Sequence, residues 1–402
     1  MKIINCPISN ETGGIEFLNL GKIPLVNNLC LTREEAINCE RFPLSVQYFQ
    51  NSKLVCLTET VNKDNLFLHY LYQSGVNKPY LEHCTGMYDY LSHMVEFKDR
   101  DVVLDVGGND GSLLLEFRKE NRNLHYINCD CSRSFIDINR QCGLDYINEY
   151  FCESTALPYK AKLITSTNVF QHTEPLRSFV KGVRRNLSSE GVWSLEFPYI
   201  LTTLANDNYD QIYHEHVYYF CLQNIVDIAQ QEDLKVINVS YHDIHAGTLR
   251  VLLAKSTSRR QSDSTITSFL NLEKTLTKEY CLKWGERTLE KINSFKTFVY
   301  EELINKGHSV ACFGAAAKGC VFLNSCGFDY HGIQFIVDDT LFKQGKFVPG
   351  TGIKVVSRDV LKSVKIEYMI ILAHNFKDYI IKSLEGQYSG KFITMFPDIR
   401  IL

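Results

Sequence analysis

The sequence predicts an α/β protein with two doubly wound sheets, one in the middle of the chain and a smaller one at its C-terminal end. Three observations predict this fold. Short apolar runs alternate with amphipathic segments, as expected of parallel strands joined by helices. A glycine-rich turn follows the first run of each series. The length, 402 residues, is enough for two or three domains that each bury a core.

The predicted strands of the middle part are short and apolar, with helical patterns between them. They are VVLDV at 102–106, LHYINCD at 124–130, AKLITSTNVF at 161–170 and GVWSLEF at 191–197. The polar residues 256–268 then predict a linker or an exposed loop. Residues 269–307 carry apolar positions at helical spacing, which predicts a long helix with a break near Gly285.

The pattern of strand, glycine turn and helix restarts after that helix. Its strands are predicted in HSVACFGAAAKG at 308–319, IQFIVDD at 333–339, IKVV at 353–356 and EYMIILA at 367–373. The first 66 residues hold only short segments of mixed character, without a strong helical pattern. We therefore predict three domains: an N-terminal lobe (1–66), a central domain (67–268) and a C-terminal domain that includes the linking helix (269–402).

The composition excludes several classes of protein. Hydrophobic residues make up 45% and charged residues 22%, which is globular and neither fibrous nor disordered. A net charge of −3 leaves no broad basic surface, so no nucleic acid is expected as a partner. The N-terminus lacks the apolar core of a signal peptide, and nowhere do 18 apolar residues run together. We expect a cytoplasmic protein without a membrane partner, whose 14 scattered cysteines stay reduced.

The glycine-rich turn of the central domain is the first candidate ligand site. It consists of Gly107, Gly108, Asn109, Asp110 and Gly111, directly after VVLDV. Such a turn at the carboxyl end of the first strand lets a nucleotide lie against the backbone. The turn is not GxGxxG, and a plain helix-capping turn is the alternative interpretation.

Acidic residues around this turn indicate which nucleotide it would bind. Asp130 ends the second strand, 19 positions after Gly111, where a carboxylate can accept both ribose hydroxyls. Asp105 and Asp110 disfavour a pyrophosphate, because like charges at close range repel. They suit a cationic, phosphate-free nucleoside such as S-adenosylmethionine (SAM). We therefore predict methyl transfer in preference to hydride transfer.

The segment DQIYHEHVYYF groups Tyr213, His214, Glu215 and His216. Four polar groups in succession are costly to bury without partners, so the segment is either solvated or lines a site. A metal is an alternative, but HEH is too short for the helical HExxH zinc pattern. Histidine and glutamate together can provide a general base and the group that orients it.

A further histidine, His172, lies in STNVFQHTEP just past the fourth strand. A purely structural histidine is the alternative, but the position beside the cofactor crevice favours a site. No NPPY-like run follows this strand, which argues against a nucleobase amine as methyl acceptor. Histidine better suits carbon-acid or hydroxyl chemistry.

A set of motifs covers nearly the whole chain in the order of a known family. The motifs are LGKIPLVNN (20–28), FPLSV (42–46), HYLYQSG (69–75), VVLDVGGNDGSLL (102–114), NVFQH (168–172), EFPY (196–199), YHEHVYYF (213–220), HAGTLR (245–250), FGAAAKGCVFLN (313–324), VDD (337–339) and KQGKFVPGTGIKV (343–355). In them the chain resembles the sugar C-methyltransferase family, three-domain enzymes that methylate nucleotide-linked keto-deoxysugars. The resemblance implies a class I SAM-methyltransferase central domain and a Rossmann-like C-terminal domain.

The resemblance also implies a mechanism. A ketone at C4 of the sugar acidifies the C3 proton, a base removes it, and the enolate carbon attacks the sulfonium methyl. By motif position His216 is the base, and Glu215 raises its basicity or holds its tautomer. Tyr213 and His172 would contact the substrate or the enolate oxygen.

Further site residues follow from the same motifs. Asn168 falls in the cofactor site and His214 in the substrate site. Tyr72 corresponds to the family's tyrosine lid over the active site. Tyr70 is the alternative within one register shift, and an ordinary aromatic strand face would explain both tyrosines.

The C-terminal FGAAAKG loop follows a strand and would cradle the diphosphate of the nucleotide. Gly314 and Ala315 would line that pocket, and Lys318 would supply charge. Lys343 and Asn375 are weaker candidates for it. A second SAM site is the alternative, but Lys318 would repel the sulfonium.

The N-terminal lobe departs from the family, which carries CxxC twice, about 40 residues apart, as a four-cysteine zinc site. The four corresponding positions are Cys6, Ser9, Phe49 and Ser52. Cys30, Cys39 and Cys56 could substitute, but their spacings match no common zinc pattern. We predict that the metal has been lost.

The predicted function is SAM-dependent C-methylation of a nucleotide-activated 4-keto-deoxysugar, at C3, by a monomer or small homo-oligomer. One alternative is an O-methyltransferase acting on a sugar or other small molecule. The other is a non-catalytic nucleotide-sugar-binding protein that has kept the fold. The degenerate lobe favours the binding protein slightly, and the intact YHEH segment counts against it.

Overall fold

Three β-sheets organise the chain. The structure is a computed structural model that describes residues 1–68, 73–76, 78–120, 123–244 and 247–402. Within these ranges, every helix is too short or too polar to span a lipid bilayer.

The N-terminal lobe is built on an antiparallel sheet. Its elements are β1 (Ile15–Pro24), α1 (Arg33–Asn38), β2 (Arg41–Phe49) and β3 (Leu54–Leu57). The strands pair in chain order, and a fourth strand, Tyr218–Tyr219, is contributed by the central domain. The lobe is therefore fastened to the same segment that carries the YHEH motif.

The central domain contains a seven-stranded sheet with helices on both faces. Its elements are α2 (Asp64–Phe67), α3 (Lys78–Met94), β4 (Val102–Val106), α4 (Ser112–Glu120), β5 (His125–Cys129), α5 (Ile136–Gln141), β6 (Asp145–Ile147), β7 (Ala161–Thr167), α6 (Leu176–Asn186), β8 (Leu187–Pro198), α7 (Ile200–Ala205), β9 (Tyr218–Tyr219), α8 (Leu222–Gln231), β10 (Leu234–His242) and β11 (Thr248–Lys255).

The strand order of this sheet is β10–β11–β8–β7–β4–β5–β6. Among the described strands, β11 pairs antiparallel with both β10 and β8, and the other pairs of this sheet are parallel. This order, with its one reversed strand, is that of class I SAM methyltransferases, which confirms the predicted fold class. After β4 the chain adds β5 and β6 on one side of β4, and β7 then pairs with its other side. A crevice opens at the carboxyl ends of β4 and β7, where the strand order changes direction.

The C-terminal domain follows a helical connection. Its elements are α9 (Thr265–Leu272), α10 (Lys278–Thr297), β12 (Val310–Phe313), α11 (Ala317–Cys326), β13 (Ile336–Val337), β14 (Val355–Val356), β15 (Tyr368–Ile371), α12 (Lys377–Ser383), β16 (Lys391–Thr394) and β17 (Arg400–Ile401). The sheet order is β14–β13–β12–β15–β16–β17, parallel except for β17. This is a second Rossmann-like sheet, with its own switch point at β12.

The predicted break near Gly285 is wrong, because α10 runs through this residue. A Cβ at Gly285 would lie 1.7 Å from the carbonyl oxygen of Phe17. The glycine therefore lets α10 pack directly on β1. The helical run is interrupted earlier, at the turn Glu273–Thr275, where the Glu273 carboxylate accepts hydrogen bonds from the first backbone amides of α8.

One apolar core connects the three domains. It runs from Leu44 in the lobe through Trp193 in the central sheet to Trp284 and Val310 in the C-terminal part. The two tryptophans are fully buried. Because the domains share this core, the walls that they present to one another are held in fixed positions.

Candidate active site

A cavity of about 1020 Å³ lies where the three domains meet. Its walls are the carboxyl ends of β4, β5, β7 and β8, those of β12 and β15, and the segment around Asn27 in the lobe. Pockets for one small ligand are typically about 300–1,000 Å³. This cavity can therefore hold a cofactor and a second molecule together.

The glycine turn after β4 forms the cofactor end of the cavity. Gly107 has φ +69°, and a Cβ there would lie 2.5 Å from Cγ2 of Val169. The carboxylate of Asp130 accepts the backbone N–H of Asn109 at 2.9 Å and that of Ser132 at 2.8 Å. Gly107, Asn109 and Asp130 all line the cavity. The carboxylate is thus fixed at the end of β5, with its remaining lone pairs available to ribose hydroxyls.

Four other residues predicted to bind the cofactor do not line the cavity. They are Asp105, Gly108, Asp110 and Gly111. Asp110 accepts the backbone N–H and the hydroxyl of Ser112, so it caps α4, and it also accepts the N–H of Gly75. Asp105 accepts the hydroxyl of Thr165 at 2.7 Å beneath the turn, and burial raises its pKa to about 7. These residues shape the turn from below.

Five polar side chains lining the cavity have at least one buried atom without a hydrogen-bond partner among the described residues. These atoms are Oγ1 of Thr167, Oδ1 of Asn168, Oε1 of Gln171, Nε2 of Gln211 and both ring nitrogens of His374. An unpaired buried polar atom costs about 1–3 kcal/mol. A bound ligand with complementary polar groups would remove that cost, which is the expected state of a binding site.

Tyr213 and His216 form a hydrogen-bonded pair in the cavity wall. The Tyr213 hydroxyl lies 2.7 Å from Nε2 of His216, and Nδ1 lies 3.0 Å from the backbone carbonyl oxygen of Gln211. A carbonyl only accepts, so Nδ1 carries the proton and Nε2 accepts from the tyrosine. The neutral imidazole therefore has its basic nitrogen, Nε2, paired with the Tyr213 hydroxyl.

His172 lies beside this pair, with its ring centroid 5.0 Å from that of His216. Its Nδ1 donates to the backbone carbonyl oxygen of Glu215. Burial lowers the pKa of His172 to about 4, although backbone carbonyls favour its protonated form. The ring is neutral at pH 7, so it can orient a polar group of a substrate but supplies no positive charge.

The role predicted for Glu215 needs correction. Both ring nitrogens of His216 have other partners, and its tautomer is held by Gln211. The Glu215 carboxylate, 3% exposed, accepts the side-chain amide of Asn27 at 2.6 Å. Glu215 therefore ties the YHEH segment to the N-terminal lobe, a contact between residues 188 positions apart.

His214 is likewise not a substrate contact. It does not line the cavity and is 2% exposed. Its Nε2 lies 3.3 Å and 3.2 Å from the carbonyl oxygens of Phe42 and Pro43 in β2. Burial lowers the pKa of His214, so the neutral ring bonds the lobe to the central domain.

The C-terminal domain forms the opposite wall, where Ala315, Lys318 and Lys343 line the cavity and Gly314 does not. Gly314, with φ +96°, turns the chain between β12 and α11. Nζ of Lys343 lies 3.3 Å from Oδ2 of Asp338. Tyr70 and Tyr72, and the side chain of Asn375, lie outside the described residues.

Three of the four positions of the family's zinc site contact one another in the lobe. Sγ of Cys6 lies 3.1 Å from Oγ of Ser52, and the backbone N–H of Ser9 donates to the same sulfur. Phe49 is fully buried in the apolar core. One thiol, two hydroxyls and a phenyl ring do not fit the donor set of a zinc site.

Comparisons with known proteins show which families the chain is similar to. Residues 104–193 match a family model described as a methyltransferase domain, and residues 243–397 match one described as a C-methyltransferase C-terminal domain. The curated C-methyltransferase NovU of Streptomyces niveus is 26% identical over 409 residues, which cover 100% of this chain and 97% of NovU. The chain is a SAM-dependent methyltransferase. The C-terminal match and the likeness to NovU support the C-methyltransferase family.

Solved structures resemble this methyltransferase only in part. Magnesium protoporphyrin IX methyltransferase of Synechocystis PCC 6803 is 12% identical with a TM-score of 0.37, over 44% of this chain and 83% of that one. The YcgJ protein of Bacillus subtilis is 17% identical with a TM-score of 0.35, over 53% of this chain and 84% of that one. The fold assignment therefore rests on the strand order of the central sheet.

SAM fits the β4 end of the cavity on the geometry of the described residues. Gly107 lines the cavity with backbone alone, and Asp130 offers a fixed carboxylate. The unpartnered oxygens of Thr167 and Asn168 lie at the adjacent strand end. Thr167, Gln171 and Gln211 were not predicted from the sequence, although Gln171 and Gln211 stand within or beside the motifs NVFQH and YHEH.

Proposed function

We propose that this methyltransferase transfers a methyl group to C3 of a nucleotide-activated 4-keto-deoxysugar through an enolate. One observation carries the proposal: an imidazole, held by a backbone carbonyl at Nδ1 and paired with a phenol at Nε2, lines the same cavity as the cofactor turn. A carbon next to a ketone needs a base before it can attack a methyl group.

The pair Tyr213–His216 supplies both groups that enolisation needs. When the Tyr213 hydroxyl turns from Nε2 to the C4 oxygen of the sugar, the Nε2 lone pair of His216 is released and takes the C3 proton. The imidazolium that forms keeps its Nδ1–H bond to Gln211 and donates from Nε2 to the Tyr213 oxygen, while the tyrosine hydroxyl donates to the C4 enolate oxygen. SAM, when bound, supplies the electrophilic methyl group that the C3 carbanion accepts.

The surrounding side chains orient the sugar. The neutral His172 ring is suited to a sugar hydroxyl, as are the unpartnered amide groups of Gln171 and Gln211. Asn27 extends from the lobe into the cavity wall, held by Glu215. These contacts would fix C3 near the methyl donor, which is the main advantage an enclosed site offers.

The nucleotide would lie along the C-terminal wall. The turn after β12 brings Ala315 and Lys318 to the cavity, and Lys343 stands beside them. A nucleotide-linked sugar carries two diphosphate charges, which backbone amides and lysines bind well. In this proposal, the cavity holds SAM at the β4 end and the substrate between His216 and Lys318.

Mass spectrometry tests this proposal. A panel of nucleotide-linked 4-keto-6-deoxy and 2,6-dideoxy sugars is incubated with protein and SAM, and products are fragmented. We expect a methyl gain that fragmentation assigns to C3. A methyl group gained on oxygen would assign the protein to the O-methyltransferases instead. If no methyl group is gained although SAM binds, the protein is a non-catalytic nucleotide-sugar-binding protein.

A further inference from the structure

The turn Tyr209–Gln211 separates the C-terminal wall of the cavity from the proposed base. Asp210 in this turn is 1% exposed and points towards the C-terminal domain. Its Oδ2 lies 3.3 Å from Nδ1 of His374, and its Oδ1 has no hydrogen-bond partner among the described residues. The next residue, Gln211, holds His216 through its backbone carbonyl.

His374 and Lys318 are the groups that face Asp210 from the other domain. Burial tends to raise the pKa of Asp210, but His374 and Lys318 outweigh it and hold the pKa below its ordinary value. Both residues also line the cavity. The carboxylate therefore stands behind two side chains whose N–H groups can reach a ligand.

Donor groups converge on this part of the wall. Lys318 lies in the first turn of α11, whose N-cap residue, Ala316, provides no side-chain cap. Among the described residues Lys318 makes no hydrogen bond or ion pair, and neither ring nitrogen of His374 makes a well-aligned hydrogen bond. Gln211, 2% exposed, adds an unpartnered amide donor to the same cavity. A set of donors without acceptors calls for an anionic oxygen ligand.

We propose that the turn Tyr209–Gln211 is a positioning element that joins a diphosphate subsite, formed by Lys318 and His374, to the base His216. Asp210 contacts His374 of the subsite, and Gln211, one residue on, holds the imidazole of His216. Binding of the diphosphate at one end of the turn thus orders the base at the other. The proposal rests on the proposed function in taking a nucleotide-linked ligand, but its test needs no methyl transfer.

The test measures binding and hydrogen–deuterium exchange of the full chain with S-adenosylhomocysteine bound. The probes are UDP, dTDP and inorganic pyrophosphate, with uridine as the probe that lacks phosphate. We expect at least one phosphate probe to bind and to slow amide exchange in both 314–320 and 209–216. Uridine should leave both segments unchanged.

Two variants and one control separate positioning from simple folding. Lys318→Met should weaken binding of the phosphate probe about tenfold or more, because it removes a charge-assisted hydrogen bond. Asp210→Asn should abolish the protection of 209–216 while cofactor affinity and melting temperature stay the same. Asp207→Asn is the matched control, since Asp207 pairs with Arg287 and Lys291 away from the cavity. It should behave as the wild type.

Three results would overturn the proposal: no binding of any phosphate probe, protection of 314–320 without 209–216, or wild-type protection in Asp210→Asn. Failure of the methylation assay alongside normal protection would reject the sugar substrate only. The diphosphate subsite and its coupling to His216 would then remain.

Discussion

The two glycine turns of this methyltransferase share a backbone scaffold and differ in charge. Gly107 donates its N–H to the carbonyl of Cys129 and Gly314 donates to that of Val337, both at 2.8 Å. In each turn an aspartate at the end of the next strand accepts a backbone N–H, at 2.9 Å for Asp130 and 2.8 Å for Asp338.

The neighbours of the two aspartates differ. No described basic side chain pairs with Asp130, which lines the cavity. Asp338 does not line it and is neutralised by Lys343. Two positions before the glycine, the first turn has the buried Asp105 and the second the buried Cys312. The same scaffold therefore suits a cationic nucleoside in one domain and an anionic group in the other, because its neighbours set the local charge.

The largest expected difference between the turns is in SAM affinity. Asp130→Ala should raise the dissociation constant of SAM roughly 100-fold, since two charge-assisted hydrogen bonds at about 1.5 kcal/mol each are lost. Asp338→Ala should leave it unchanged. Isothermal titration with SAM measures both. If both variants lose the same SAM affinity, the two turns do not differ in the ligand that they bind.

A smaller effect is expected when the second turn loses its counter-charge. Lys343→Met leaves Asp338 unpaired beside the anion site, so the affinity for UDP or dTDP should fall about tenfold while SAM binding is unchanged. Lys346→Met is the control, because this lysine lies in the same region without lining the cavity. If Lys343→Met binds the nucleotide with wild-type affinity, Lys343 does not contribute to nucleotide binding.

The last effect concerns the acid beneath the first turn and changes the stability of the protein without a direct contact to a ligand. Folding raises the pKa of Asp105 from 3.8 to about 7, so the folded state loses stability as pH rises through this interval. Asp105→Asn should remove that loss, so its stability relative to the wild type should rise between pH 4 and pH 8, by at most about 4 kcal/mol for a pKa that is raised by about 3. The gain should vanish near pH 4.

Denaturant unfolding at several pH values measures this effect. Cys312→Ala, the equivalent change beneath the second turn, should not alter the pH slope between pH 4 and 8. A variant Asp105→Asn with the same pH slope as the wild type would contradict the assignment.

Sequence patterns predicted the local parts of this structure. VVLDV matches β4 residue for residue, and the glycine turn with Asp130 follows because strand, turn and helix are adjacent in the chain. The fold class follows from the same alternation. The strands β10 and β11 were not predicted, and one of them is the reversed strand of the sheet.

Contacts between distant residues could not be predicted. Glu215 and His216 are neighbours in sequence, yet Glu215 bonds to Asn27 while His216 bonds to Gln211 and Tyr213. Gly285 appeared to be a helix breaker, because the approach of β1 to α10 is visible only in three dimensions. The cluster of Asp210, Lys318 and His374 likewise joins residues from two domains.

The most direct test of the account is deuterium uptake at C3 of the keto sugar in heavy water without SAM. The wild type should exchange this proton, since His216 removes it before methyl transfer. His216→Ala should slow the exchange about 100-fold or more, with SAM affinity unchanged. Undiminished exchange in His216→Ala, or loss of its SAM binding, would contradict the assignment of His216 as the base.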